Sequence, residues 1–488
     1  MNPFFKNIPK QRLIAYVILL GLLIYSCVIL TLSTGTFDTG DGVVHYFISR
    51  YSWHYPYLFL DMWGKPLFTI VSSPFSQFGL KGITFFNILC GLTASYLAYL
   101  IAEKLKIPFA YLAIIFTFSA PIYFSVVNSG LTEPMFSMVL LLCIWLALNE
   151  QYYLSVIVFS FLPFIRAEYV FVAPVFVLYY LLKRKYKTIL LLPFGALIFS
   201  LIGYFSGKNF LWLITENPYS AANAQAYGNV RGNLLSYIGE YHLITGLAFL
   251  VLIILGLLWL AGGRYLQKQN RQESNTYFTE ELVLIFGGFA SILICHTIVW
   301  AYGIFPTLGL LRYMSPLIPL AAIIALRGLQ LINLLPELFK LKWLSVLISI
   351  GFAAAVLYSP YTLWYNVPFK LDTPDIVIKN AINWLKQSPY KDKKKYYNSN
   401  FITICLGVDH FDNTLRSDAN FSDPKHPEKD MPSGSVFIYD SHYSKDAGID
   451  TLSLAKDSAL VILKKFSAAE NYTAYSGNAS PVWIFQRK

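Results

Sequence analysis

Between the first two strongly apolar runs lies DTGDGVVHYFISRYSWHYPYLFLDMWGKPLFTIVSSPFSQF, Asp38 to Phe78. It sets three carboxylates (Asp38, Asp41, Asp61), two histidines (His45, His54), Arg50 and Lys65 among Tyr, Trp and Phe. The stretch is too polar to cross a bilayer and too aromatic for a free loop. Rings of this kind settle at headgroup level and leave charges facing a polar substrate. Asp38 stands three residues before Asp41 and His45 four after it, so a helix over GVVHYFISRYSW puts the three on one face. Such a cluster suits proton abstraction from an attacking hydroxyl, or, through Asp41 and His45 above all, ligation of a divalent ion. The plainer alternative is that Asp38 or Asp41 caps the helix, a position Asp favours.

Long apolar runs must position these residues. Of the chain, 56% is hydrophobic and 13% charged, the composition of a polytopic membrane protein. The net charge of +11 would suggest nucleic acid in a soluble chain. Here most of the excess lies before Tyr365, with 22 Lys and Arg against 13 Asp and Glu, where membrane orientation explains it and no nucleic acid is implied. The spacing predicts eleven spans: 13–32, 83–103, 110–127, 135–148, two within 152–182, 188–205, 243–261, 282–300, 315–326 and 343–361. The run 152–182 is split at Arg166-Ala-Glu168, because a single crossing would put Lys183 to Lys187 on the opposite side from Lys104 and Lys106. With the N-terminus cytoplasmic, fifteen cations fall on the inner side, Arg327, Lys340 and Lys342 among them, and seven on the outer side. The outer side then holds the first loop (34–80), the Arg166–Glu168 apex, the long loop Gly207 to Tyr241 with Lys208 and Arg231, and Arg312.

From about residue 366 the composition is that of a small soluble α/β domain, on the outer side. IVIKNAINWLKQ has helical spacing, while SVFIYD, ALVILKKF and VWIFQRK read as strands. The expected fold is thus a mainly α, eleven-helix membrane domain (1–365) followed by an α/β domain (366–488). Four of the five cysteines lie in apolar runs, which excludes a disulfide framework. No GxGxxG, Walker loop or HExxH is present.

Asp61-Met-Trp-Gly-Lys65-Pro66, the GDGVVHY loop, the outer Arg166-Ala-Glu168 apex and the late LLRYMSPLIPL segment together resemble the GT-C superfamily of membrane glycosyltransferases. The branch they resemble is that of protein O-mannosyltransferases and bacterial aminoarabinose transferases, with Asp41-Gly42 where that branch has Asp-Glu and a single Pro after Lys65. The resemblance covers Asp38 to Pro319 and the layout of a C-terminal outer domain. It implies a bacterial inner membrane enzyme that moves a sugar from a polyprenyl phosphate to a lipid, glycan or protein acceptor, inverting the anomeric carbon.

That chemistry asks for one carboxylate near the acceptor hydroxyl and cations near the departing phosphate. Asp41 is the candidate base, with Asp38 and His45 beside it. Lys65, Arg166, Arg312 and, more weakly, Arg231 are the candidates for the phosphate, while Asp61 and Glu168 are read as substrate-binding. The structural alternatives are snorkelling of Lys65 and Arg312 and an Arg166–Glu168 ion pair that seats the hairpin. A transporter or flippase of lipid-linked saccharide and a surface-glycan ligase or polymerase are the competing functions. The first of these predicts polar residues spread through the midplane, whereas the ionisable residues here gather at one face.

Overall fold

A computed structural model describes residues 9–216, 218, 231–269, 277–304, 307–362, 367–468 and 481–488, without the side chains of 261, 263–269, 335, 337 and 338. Part of the long loop Gly207 to Tyr241, and Arg271 of the expected inner loop, lie outside these residues.

Helices form over every apolar run that the sequence marks out. Among the described residues, six stretches are long and apolar enough to cross a membrane: Lys10–Leu32, Leu80–Lys104, Tyr186–Phe205, Phe278–Tyr302, Leu311–Leu334 and Lys342–Thr362. Shorter apolar helices cover Glu133–Leu148, Tyr152–Phe164, Tyr169–Leu182 and Leu247–Leu260. The chain is an integral membrane protein. The run 110–127 is broken into Leu112–Phe118 and Pro121–Val127, with Pro121 opening the second piece, where its missing N–H has no partner to lose. The run 152–182 breaks as its charges predict: a 3₁₀ turn at Leu162–Phe164 ends the first half, and Tyr169–Leu182 forms the second with Pro174 inside it.

One expected boundary is corrected. Arg327 is not a loop cation, because the helix continues over Ile318–Leu338 and buries it. Its Nε and Nη2 donate to the two carboxylate oxygens of Glu281 at 2.6 and 2.8 Å, and Nη1 donates to Gln330 at 2.9 Å. The guanidinium also lies 4.3 Å from the Trp259 ring. A charge in this place is tolerated because every face of it is paired. The same helix meets Leu247–Gln269 at close range, with Gly256 against the Ile324 carbonyl and Gly328 against the Leu252 carbonyl. Any side chain there would hold the backbones apart.

The chain divides into two compact units. One comprises Met1–Leu32 and Ile48–Pro368, and the other Ser33–Phe47 and Phe369–Lys488. In the second unit, strands β1 (Lys395–Tyr397), β2 (Arg416–Asp418), β3 (Val436–Asp440), β4 (Leu460–Phe466) and β5 (Val482–Arg487) form one sheet in the order β2-β1-β3-β5-β4. The first three are parallel, and β5 runs antiparallel to both β3 and β4. Helix Thr373–Gln387 packs Val377, Ile378, Ala381, Ile382 and Leu385 onto Val436, Ile438, Val482 and Ile484 of the sheet. The segment Ser33–Phe47 is tied to this unit by Thr34 and Gly35 N–H groups donating to the Phe369 carbonyl, both at 3.0 Å. The Phe47 ring also stacks on His410, at 4.6 Å between centroids.

Candidate functional site

In the membrane unit, the segment Asp61-Met-Trp-Gly-Lys65-Pro66 builds a turn whose product is the position of Lys65. Asp61 Oδ1 accepts the Gly64 N–H at 2.7 Å, so this carboxylate closes the turn. Gly64 packs where a Cβ would stand 2.5 Å from Ile48 Cγ2. Pro66 opens helix Pro66–Ser76 and restricts the residue before it, and Lys65 takes φ +63° and ψ 100°, a conformation rarely adopted by residues with a side chain. The backbone strain is held by Thr69, whose N–H donates to the Lys65 carbonyl at 2.9 Å and whose hydroxyl donates to the Gly64 carbonyl at 3.0 Å. Lys65 is buried, with Nζ donating to the Met62 carbonyl at 3.1 Å. A strained, buried lysine is a costly arrangement that marks sites of function.

The second part forms at the apex of the split run. Arg166 donates to Glu168 Oε1 from Nε at 2.9 Å and also from Nη2, while Nη1 lies 3.0 Å from the Thr132 hydroxyl oxygen and 2.8 Å from Glu133 Oε1. Glu133 is fully buried at the start of Glu133–Leu148, and Arg312 Nε stands 4.0 Å from the same Oε1. The turn before Glu133 is fixed by Asn87, whose amide donates to the carbonyls of Ser129 and Leu131 at 2.8 and 2.7 Å. Arg166 is thus committed to two carboxylates, the ion-pair alternative named above. Glu133, which as a sequence reads as a helix cap, joins Arg166 to Arg312.

These parts border a half-open cavity of about 520 Å³. Lys65, Arg166 and Glu168 line it together with His296 and Tyr313, and Met62, Phe164, Phe171, Leu213 and Val299 supply apolar wall. The floor near Met62 is held by Trp212, buried against Leu60, Phe164 and Phe199, with its indole N–H donating to the Phe199 carbonyl at 3.1 Å. His296, from the apolar run LICHTIV, is a cavity residue that spacing did not single out. The signal was present, since a lone ionisable residue inside a span is itself a functional mark. Asp61 sits one turn from the cavity and does not line it. Arg231 is exposed with its side chain over Gly303 and is absent from the lining, and His54 is exposed against Tyr55.

Asp38, Asp41 and His45 belong to the second unit. Asp41 opens helix Asp41–Tyr51, where its charge suits the helix dipole, and Asp38 Oδ1 accepts the Gly42 N–H at 2.7 Å. Asp38 thus satisfies one N–H of the helix's first turn. His45 is buried on the same helix. Burial, and after it Asp38, Asp440, Asp375 and Asp41, push the Tyr443 hydroxyl above its ordinary range, so this phenol stands among four carboxylates. Among the described residues, the group of three His, Asp or Glu side chains whose ligand atoms come within 4.8 Å of one another is His426, Glu428 and Asp457, in the same unit and without Asp41 or His45.

No protein-family model and no curated protein matches the chain. Solved structures do match it. The crystal structure of ArnT from Cupriavidus metallidurans bound to undecaprenyl phosphate aligns with a TM-score of 0.55 at 11% identity, over 97% of this chain and 97% of that one. The apo-state structure of the same protein aligns with a TM-score of 0.54 at 11% identity, over 96% and 97%. The likeness is one of fold and covers nearly the whole chain, which has the GT-C fold that its motifs between Asp38 and Pro319 resemble.

Proposed function

We propose that the protein transfers a sugar from a polyprenyl-phosphate donor to a hydroxyl acceptor on the extracytoplasmic face of a bacterial inner membrane, with inversion. The observation that carries this reading is the half-open cavity that Lys65 lines from the Asp61–Pro66 turn, in a fold shared over 97% of the chain with a protein crystallised with undecaprenyl phosphate. In the proposed reaction the acceptor oxygen attacks the anomeric carbon, its proton passes to the Asp41 carboxylate, and the bond from that carbon to the phosphate oxygen breaks. The departing polyprenyl phosphate needs compensation of charge and no proton. Lys65 supplies it as a point charge. Arg166 stands between Glu133 and Glu168, so its part is to shape the wall, and Arg312 beside Glu133 completes a cluster of two cations and two carboxylates. His45 supports Asp41, and Asp38 holds the helix on which both stand.

Asp41→Asn tests the assignment. Purified full-length variant should bind undecaprenyl phosphate as the wild type does and lose about 10²–10⁴-fold in transfer rate, the usual worth of a general base. Transfer at the wild-type rate would remove Asp41 from the role. Mass spectrometry of membrane lipids and surface glycans in a deletion strain identifies the sugar and acceptor.

A further inference from the structure

His296 has no part in the reaction just described, yet it stands in the cavity wall. Its residue surface is 6% exposed, and its Nε2 has no hydrogen-bond partner among the described residues. The ring is clamped: Tyr313 stacks on it at 5.5 Å and 8°, and Phe171 meets it edge-on at 4.9 Å and 79°. A buried, unmade hydrogen bond is a standing cost that a bound ligand group can relieve. The wall around it says which group. Glu168 lines the same cavity ion-paired with Arg166, whose other carboxylate is Glu133, so this end offers no surplus positive charge to an anion. Lys65, the cation proposed above for the phosphate, comes from a different turn of the chain.

We propose that His296 is a specificity residue that hydrogen-bonds a hydroxyl of the donor's sugar, and that the cavity distinguishes sugar-bearing polyprenyl phosphate from the bare lipid product. The inference rests on the donor reading above and adds the end of the donor that this wall recognises. Discrimination of this kind is strong because the polar group stays unpaired when the sugar is missing.

The test uses the full-length protein in detergent, with undecaprenyl phosphate and the undecaprenyl-phosphate-linked forms of glucose, galactose and arabinose measured separately. The wild type should bind one sugar-bearing lipid about tenfold or more tighter than undecaprenyl phosphate. His296→Phe, which keeps the ring stack, should lose most of that difference and bind undecaprenyl phosphate within about twofold of the wild type. His296→Gln, which restores a hydrogen-bonding group, should keep more of the preference than the Phe variant, and it serves as the test if that variant does not fold. An unchanged preference in the variants, an equal loss for the bare lipid, or a wild type that binds the bare lipid and ignores the sugar would overturn the inference. A wild type that binds no undecaprenyl phosphate would overturn the donor reading instead.

Discussion

Lys65 is held in place by its neighbours, and Gly64 is the neighbour with least room for change. A Cβ on Gly64 would meet Ile48 Cγ2 at 2.5 Å and Thr69 Oγ1 at 3.0 Å, and the branched Ile48 methyl cannot swing clear. Gly64→Ala should therefore destabilise the protein by about 1–3 kcal/mol, as overpacking does, and weaken undecaprenyl phosphate binding as the lysine shifts. Thermal unfolding and lipid binding check it. Ile48→Ala, which vacates the contested space, should restore much of both in the double variant. At this scale the chemistry was legible where residue type and spacing act locally: Asp61, Lys65 and Pro66 form one turn, and Asp38 accepts an N–H in the first turn of the helix that Asp41 opens. Asp61, expected at the substrate, closes the turn through one carboxylate oxygen. Glu133 could not be read, because the partners that reveal it, Arg166 and Arg312, lie 33 and 179 residues away in sequence. His296 was marked only by being the lone ionisable residue within an apolar run.

The helices followed from apolar periodicity, and the break at Arg166–Glu168 followed from loop charge. Arg327 shows where counting cations fails. A cation at the end of an apolar run looks like a loop residue until its carboxylate is found, and Glu281 stands 46 residues before it. In the second unit, helix Thr373–Gln387 carries a titration that the sequence did not announce. Its N-cap Asp372 accepts the Asp375 N–H, and burial together with Asp372 pushes the Asp375 carboxyl up to about 8. The folded state then holds a proton that the unfolded state releases near the ordinary carboxylate range. The stability this proton confers is complete below about pH 4 and is lost as pH rises towards 8. Asp375→Asn, neutral at every pH, should be more stable than the wild type at pH 8 and should flatten the pH dependence between those limits. Unfolding temperatures across pH 4–9 check this, and an Asp375→Asn variant whose unfolding midpoint is as pH-dependent as the wild type's would refute it.

For the molecule as a whole, the composition dictated a membrane protein, and the change near residue 366 marked a second unit that the contacts begin at Phe369. The assignment of Ser33–Phe47 to that unit could not be foreseen. It rests on backbone hydrogen bonds from Thr34 and Gly35 to a carbonyl more than 330 residues away, and no side-chain pattern records such bonds. Orientation is the remaining whole-molecule expectation, and it is testable without knowing the substrate. The excess of Lys and Arg on one set of loops predicts that Lys187 faces the cytoplasm and that Lys391, in the second unit, faces outward. Both are exposed, so a cysteine at either is accessible to a thiol reagent. Of the native cysteines, Cys90 and Cys143 are buried, Cys27 and Cys295 lie within apolar helices that a charged reagent does not enter, and Cys405 is removed by Cys405→Ser. In that background, a membrane-impermeant maleimide added to cells with a permeabilised outer membrane should label Lys391→Cys at once and Lys187→Cys only after lysis. The reverse pattern would place the second unit, and with it Asp41, in the cytoplasm. A sugar transfer on the outer face by this protein would then be excluded, whatever its residues do.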